Sequence, residues 1–93
     1  MDMKFDRDPD KNDVNCRKHQ ISFREAATIW SDCFAIIAPD PEHSEFEERE
    51  WIIGASLEGN FMVVVFTARN KLIRIISARP VTKLERKMYV QQF

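Results

Sequence analysis

The residues best suited to chemistry in this sequence are arginines in its last third. Arg69 lies in a predicted turn, while Arg74 and Arg79 belong to an otherwise apolar run that ends at Arg79. A guanidinium group stays charged, and its fork of N–H donors matches the oxygens of a phosphate group. These arginines therefore indicate a site for a phosphodiester. The alternative is that they are solvated cations at a turn and a strand end.

Strand geometry limits how these arginines can cooperate. Side chains alternate between the two faces of a strand, so Arg74 and Arg79 lie on opposite faces unless a bulge intervenes. A guanidinium group inside an apolar strand is costly to bury unpaired. We therefore expect Arg74 either to face water and a ligand or to pair with an acid such as Glu50 on the neighbouring strand.

Four further residues are candidates, each with a structural alternative. His19, at a predicted helix end, is a general base or a cap of that helix. Lys11 is a phosphate contact or an ordinary surface lysine. Arg49 follows Glu47 closely. The two residues are either a phosphate-binding group beside a carboxylate base or part of a solvated charge run. Tyr89 either stacks on a nucleic-acid base or closes the core.

The sequence offers no pattern for a metal or a cofactor. A zinc site would need Cys16, Cys33, His19 and His43 to converge, although none of them has ligand spacing. We expect both thiols to be free. No phosphate loop, dinucleotide fingerprint or nucleophile elbow is present, so we expect neither metal nor cofactor.

Length, composition and charge restrict the class of protein. A chain of 93 residues is expected to form one domain, residues 1–93. The longest apolar run, Phe61 to Phe66, is far shorter than a membrane span, and the first residues do not form a signal peptide, so we expect a cytoplasmic protein. Residues 31–60 have eight acids against Arg49 (net −7), whereas residues 61–93 have seven bases against Glu85 (net +6). The last third therefore attracts polyanions, unless the two charged segments neutralise each other.

Capping and turn signals predict the elements. Asp8-Pro9 begins a helix that runs to about His19, Ser22 to Glu25 is a capping box for a helix through Trp30, and Thr82 to Glu85 opens a terminal helix. An edge strand or arm is expected near residues 3–6, and strands over residues 34–38, 49–56, 61–68 and 72–79. This order predicts a small two-layer α+β domain, with helices packed on one face of an antiparallel sheet and the other face open to a ligand.

A pattern of residues extends over nearly the whole chain. Its members are Phe5-Asp-Arg-Asp-Pro-Asp-Lys11, Asn15, Lys18-His19, Ile21-Ser-Phe23, Glu25-Ala26, Asp40, His43-Ser44, Glu47-Glu-Arg49, Ile53-Gly54, Val63-Val-Val65, Thr67, Arg69, Arg74-Ile-Ile-Ser-Ala-Arg79, Glu85-Arg86 and Tyr89. In these residues the sequence resembles the BrnT family of bacterial toxins. It departs from the family at Arg7, where aromatic residues are frequent, and at Gln20, where glycine is usual.

The resemblance implies a fold similar to the RelE ribonuclease toxins and the role of toxin in a type II toxin–antitoxin pair. Such a toxin cuts RNA and arrests translation. The implied partner is a BrnA-like antitoxin with a ribbon-helix-helix part, in an assembly of two toxins with two antitoxins, and operator DNA is bound only through the antitoxin. Positions matching the family's catalytic cations are Lys11, Arg69, Arg74 and Arg79, with His19 and Arg49 as further candidates.

Our hypothesis from the sequence is therefore a metal-independent endoribonuclease. Arg69, Arg74 and Arg79 are expected to stabilise charge on the phosphate, while Lys11 or His19 handles a proton. Arg79→Ala is expected to relieve toxicity and leave folding intact. The alternative function is a non-catalytic module that binds a nucleic acid or a partner through the same cations.

Overall fold

The computed structural model describes residues 4–40 and 48–93, and within these ranges it forms one five-stranded sheet and three α-helices. The predicted loop residues His43 and Glu47 lie outside the described residues. The elements are β1 (Lys4–Arg7), α1 (Pro9–His19), α2 (Phe23–Ala27), a 3-10 turn (Thr28–Ser31), β2 (Ile36–Pro39), β3 (Glu50–Ala55), β4 (Phe61–Arg69), β5 (Leu72–Pro80) and α3 (Lys83–Val90).

Helix α1 begins and ends where its sequence predicts. The Asp8 side chain accepts hydrogen bonds from the backbone N–H groups of Asp10 (2.8 Å) and Lys11 (3.4 Å), and Pro9 occupies the first turn. At the other end Gln20 takes the left-handed conformation (φ 56°), and its N–H donates to the carbonyl of Cys16. The sharp corner that follows turns the chain into α2.

Helix α2 is shorter than predicted. Ser22 caps it by accepting from the N–H of Glu25 (3.0 Å). The Glu25 carboxylate accepts from Ser56 Oγ (2.7 Å) and Asn60 Nδ2 (2.8 Å), so it fastens the turn after β3. The α-helix ends at Ala27, and the predicted remainder to Trp30 is a 3-10 turn.

The sheet has the strand order β1-β5-β4-β3-β2. The β2–β3, β3–β4 and β4–β5 pairs are antiparallel, whereas β1 pairs with β5 in parallel, which the sequence did not predict. β4 and β5 are joined by Asn70 and Lys71, both with positive φ (53° and 65°), as a tight two-residue hairpin requires. β2 begins two residues later than expected.

Side chains pack on both faces of the sheet. The larger cluster lies under α2 and the 3-10 turn and includes Phe23, Ile29, Met62, Val64 and Ile73, each at most 1% exposed. A smaller cluster lies on the opposite face. It consists of Ile53, Val63 and Tyr89, with Ile36, Trp51, Phe61 and Val81 packed against it.

The α+β class is as predicted, but α3 does not share a face with the other helices. It supplies Tyr89 to the cluster on the second face and covers one end of that face. Among residues 4–40 and 48–93, no helix covers the rest of that face, near the β4–β5 hairpin. None of the helices in the described part of the chain is long and apolar enough to span a membrane.

Candidate functional site: a groove between α1 and β5

A β-bulge in β5 decides which way its arginines face. Val65 pairs with Ser77 and Phe66 pairs with Ile75, so Ile76 is an extra residue in the ladder. Ile75 and Ala78 therefore both belong to the core cluster on the helix side. Arg74 and Arg79 both point to the opposite face. This is the one condition under which the sequence allowed the two arginines to share a face.

The bulge lies where β5 changes neighbours. β1 pairs with β5 only as far as the Arg7–Ile75 register, and beyond it α1 lies along the strand. Asn15 of α1 is 6% exposed; its Oδ1 accepts from the Ala78 N–H (3.0 Å), and its Nδ2 donates to the Ile21 carbonyl (2.9 Å). A buried amide thus replaces a strand partner and fixes α1 against β5.

Two adjoining cavities form along this seam, and we call them together the α1/β5 groove. The helix-side cavity, of about 390 Å³, is lined by Asp10, Lys11, Val14, Asn15, Lys18, His19, Ile76 and Ser77. The strand-side cavity, of about 400 Å³, is lined by Asp6, Arg7, Asp8, Pro9, Lys11, Arg74 and Ile75. Lys11 lines both cavities. Three of the five predicted catalytic residues, Lys11, His19 and Arg74, therefore lie on one groove.

Arg74 is paired, but with a different acid from the expected one. Its Nε and Nη2 donate to Asp6 Oδ2 at 3.1 Å and 3.0 Å. Glu50, the acid named as an example, is on β3, which is not a neighbour of β5, so that choice of partner is wrong. The pair is well exposed (60% for Arg74, 44% for Asp6), and guanidinium has five N–H donors. Three donors remain for a phosphate.

Lys11 and His19 bring side-chain nitrogens to the groove. Both project from α1, two turns apart, into the helix-side cavity. Their side chains make no hydrogen bond or ion pair with the described residues, so His19 does not cap the helix carbonyls in this arrangement. An ammonium and an imidazole with free nitrogens are suitable acid and base groups.

Arg69 and Arg79 flank Arg74 on the same face at different separations. Thr67 is directly opposite Arg74 and Arg69 is two residues further along β4, a diagonal separation of about 7–8 Å between backbones. Arg79 is opposite Val63, four residues from Thr67 in the other direction, which is about 14 Å. Arg69 can approach the groove, whereas Arg79 lies beyond it.

Arg79 is held by Glu85 of α3. Its Nη1 and Nη2 donate to the two carboxylate oxygens at 2.7 Å and 2.8 Å, and its side chain is 40% exposed. The hydrogen bonds from Arg79 lower the pKa of Glu85 to about 2, and the same bonds raise the pKa of Arg79. The three arginines therefore do not form one cradle, because this one is bound in a bidentate pair.

Tyr89 and Arg49 lie away from the groove. Tyr89 is 7% exposed, packs edge-on against Phe61 and donates its hydroxyl to Asp32 Oδ2 (2.7 Å). Burial, reinforced by Asp32, raises the pKa of Tyr89 to about 12. This geometry fits the core role and leaves no ring face for a base. Arg49 precedes β3, two strands from β5 and so roughly 10 Å across the sheet.

Asp32 is a structural residue that the sequence did not single out. Its carboxylate accepts from the N–H groups of Phe34 and Ala55 (both 2.9 Å) as well as from Tyr89. Burial raises the pKa of Asp32, but these hydrogen bonds outweigh it and the net pKa is lowered. The carboxylate thus links the 3-10 turn, β3 and α3 as an ionised group.

Several groove residues were also missed. Val14, Asn15 and Lys18 follow Lys11 at intervals of three, four and seven residues, the spacing of one helix face, and this spacing could have identified them. Asp6 and Ser77 reach the groove only through the parallel pairing and the bulge, for which the sequence has no local signal. Within residues 4–40 and 48–93, no three His, Cys, Asp or Glu side chains are grouped as metal ligands. Both cysteines are free, Cys33 being exposed.

The chain matches a known family, and its fold resembles that of a solved structure. Residues 8–85 match the family described as "Ribonuclease toxin, BrnT, of type II toxin-antitoxin system". The fold is similar to the 1.1 Å crystal structure of the Brucella abortus ribonuclease toxin BrnT, with a TM-score of 0.68 and 23% sequence identity over 87% of this chain and 99% of that one. No curated protein matches the chain.

Proposed function

The chain belongs to the BrnT family of ribonuclease toxins of type II toxin–antitoxin systems, and on this premise we propose that it cuts RNA in the α1/β5 groove without a metal ion. The observation that carries the proposal is the joining of two cavities through Lys11, with Arg74 on one side and His19 on the other. A guanidinium group suited to phosphate thus shares one groove with an ammonium and an imidazole side chain, which supports the proposal.

The chemistry is an attack by the ribose 2′-oxygen on the adjacent phosphorus. The 2′-hydroxyl loses its proton to a base, the 2′-O–P bond forms, and the bond to the 5′-oxygen breaks as that oxygen gains a proton from an acid. The products are a 2′,3′-cyclic phosphate and a 5′-hydroxyl. Extra negative charge develops on the phosphate oxygens in the transition state, where fixed cations are most effective.

The candidate residues in and near the groove have separate roles in this scheme. Arg74, oriented by Asp6, stabilises the phosphate oxygens with its three remaining N–H donors. Arg69 adds charge from the diagonal position on β4. Lys11 or His19 takes or returns the proton. Arg79 remains a candidate for a contact with a neighbouring phosphate further along the same face.

The direct test uses purified protein and labelled RNA in the presence of EDTA. We expect shortening of the RNA with cyclic-phosphate ends, and a loss of about 100-fold or more in Lys11→Met and Arg74→Met. Lys87→Met and Arg24→Met, at exposed positions on α3 and α2, are the matched controls and should cut normally. Binding without shortening would favour the alternative, a non-catalytic binding module.

We further propose the cellular setting that the family implies. The protein acts in the cytoplasm as a single domain, arrests translation and is neutralised by a BrnA-like ribbon-helix-helix antitoxin in an assembly of two toxins with two antitoxins. Operator DNA is bound only through that antitoxin. Induction with and without the antitoxin, followed by growth and by the mass of the purified complex, tests these points together.

A further inference from the structure

The helix-side cavity has a wall that phosphate chemistry does not require. Val14 is 60% exposed on a helix whose other outward positions are mostly charged, and it lines the cavity together with Ile76. An exposed valine and a half-buried isoleucine give this cavity an apolar part, which we call the slot. Such a slot suits a flat, uncharged group rather than a phosphate.

The slot exists because of the bulge. In a regular ladder Ile76 and Ser77 would point to opposite faces, but a bulge turns two successive residues toward one side of the strand. Both line the same cavity here. Asn15 forms the floor, and its two hydrogen bonds, to Ala78 and Ile21, fix that floor in place. The slot is thus formed by residues that are already held in position.

The rim of the slot is cationic. Lys11 and Lys18 lie three residues before and four residues after Val14, so one lies on each side of it along the helix. Lys11 is also shared with the cavity that contains Arg74. A single ligand could therefore place an uncharged group in the slot and an anionic group beside Arg74.

We infer that the helix-side cavity is a nucleobase subsite, which takes the base of a nucleotide next to the scissile phosphate. The position of that phosphate in the strand-side cavity rests on the proposed function. The base packs between Val14 and Ile76, and the Ser77 hydroxyl offers its edge one donor and acceptor. The slot would then set the preference for the base beside the cut.

The test measures binding and cleavage separately. For binding, short RNAs with 2′-O-methyl groups, which cannot be cut, carry a single abasic nucleotide at each position in turn. For cleavage, unmodified RNAs with the same abasic positions are used. The variants are Val14→Asn and its matched control Val90→Asn, the same change at an exposed valine of α3.

At one position, base removal should weaken binding to the native protein about tenfold, the lower end of what a stacked base contributes. In Val14→Asn the same removal should weaken binding less than about twofold, while Val90→Asn should behave as the native protein does. The base preference at the cut should also change only in Val14→Asn.

Two results would overturn the subsite. One is an equal effect of base removal in Val14→Asn and the native protein. The other is that base removal has no effect at any position. If the native protein binds with the expected base dependence but never cuts, the nuclease proposal fails and the base subsite stands. If the native protein cuts RNA but base removal has no effect at any position, the base subsite fails and the nuclease proposal stands.

Discussion

The pair between Arg79 and Glu85 makes a prediction about acid stability. The two side chains form a bidentate ion pair, and Glu85 also accepts from the N–H of Thr82 (2.8 Å) at the start of α3. Glu85→Gln keeps the shape of the side chain and removes its charge. It therefore weakens both the attachment of α3 to β5 and the cap of α3.

The size of the effect follows from the pKa of Glu85, which falls from 4.5 to about 2. A pKa difference of this size corresponds to at most about 3–4 kcal/mol. Because Arg79 is 40% exposed, solvent screening reduces this to about 1–2 kcal/mol. The folded-state pKa is lowered, so this stability is complete above pH 4.5 and is lost as the pH falls toward 2.

Thermal unfolding of the native protein and Glu85→Gln, measured from pH 7 to pH 2, tests this reasoning. At pH 7 the variant should unfold roughly 5–15 °C lower, and the gap should close as the pH approaches 2. Asp13→Asn, at an exposed position of α1, is the control and should show a small gap. If Glu85→Gln and the native protein unfold at the same temperature at pH 7, or if the difference between their unfolding temperatures does not change with pH, the ion pair does not contribute this stability.

The same pair changes what Arg79→Ala means. The sequence suggested that this substitution leaves folding intact, but the ion pair makes a loss of stability the expected result, as in Glu85→Gln. Glu85→Gln frees the guanidinium group and Arg79→Ala removes it. Both variants are assayed at temperatures where they are folded. If Glu85→Gln still cuts RNA and Arg79→Ala does not, Arg79 has a role in cleavage. If both variants cut RNA, Arg79 has no such role.

Three further changes test other parts of the structure. Tyr89→Phe leaves Asp32 without its hydroxyl donor and should destabilise the fold by about 1–3 kcal/mol in urea unfolding, with RNA cutting unchanged; loss of cutting in a folded variant would restore the base-stacking role. Gln20→Gly should stabilise the protein by about 0.5–1 kcal/mol because φ is 56° there, and no gain in the unfolding midpoint would contradict this. Gly54→Ala would put a methyl group 3.0 Å from Asp32 Oδ2 and from Ile29 Cγ1, so a loss of about 1–3 kcal/mol is expected by the same measurement, and native stability would show that the neighbours move aside.

Local signals predicted the start of each helix. Asp8-Pro9, Ser22 and Thr82 all cap helices, because a cap depends on hydrogen bonds within four residues of chain. A turn was also predicted locally, over residues 68–71, but the structure confines it to Asn70 and Lys71, so the expectation that Arg69 lies in the turn is wrong and Arg69 ends β4. These features need no knowledge of what packs against them.

The groove could not be predicted in this way, because it depends on contacts between distant parts of the chain. Asp6 and Arg74 are 68 residues apart and meet only because β1 pairs with β5 in parallel. The bulge at Ile76 has no signature in β5 itself and is fixed by Asn15, 63 residues before Ala78. The sequence indicated which residue types could form the site, but it could not predict that the bulge turns Arg74 and Arg79 to the same face of the sheet.

The two paired arginines differ in what they can still bind. Arg74 uses two donors on a single oxygen of Asp6, and both partners are largely in water, where an exposed ion pair contributes little and is readily exchanged. Arg79 gives two donors to both oxygens of Glu85 and a further contact to the Pro80 carbonyl. Arg79 keeps two N–H donors and Arg74 keeps three. A phosphate arriving at Arg79 must compete with a carboxylate whose pKa is lowered to about 2, whereas one arriving at Arg74 competes only with the exposed carboxylate of Asp6. We therefore propose that the scissile phosphate binds beside Arg74, with the base and the acid in the groove that reaches it from α1.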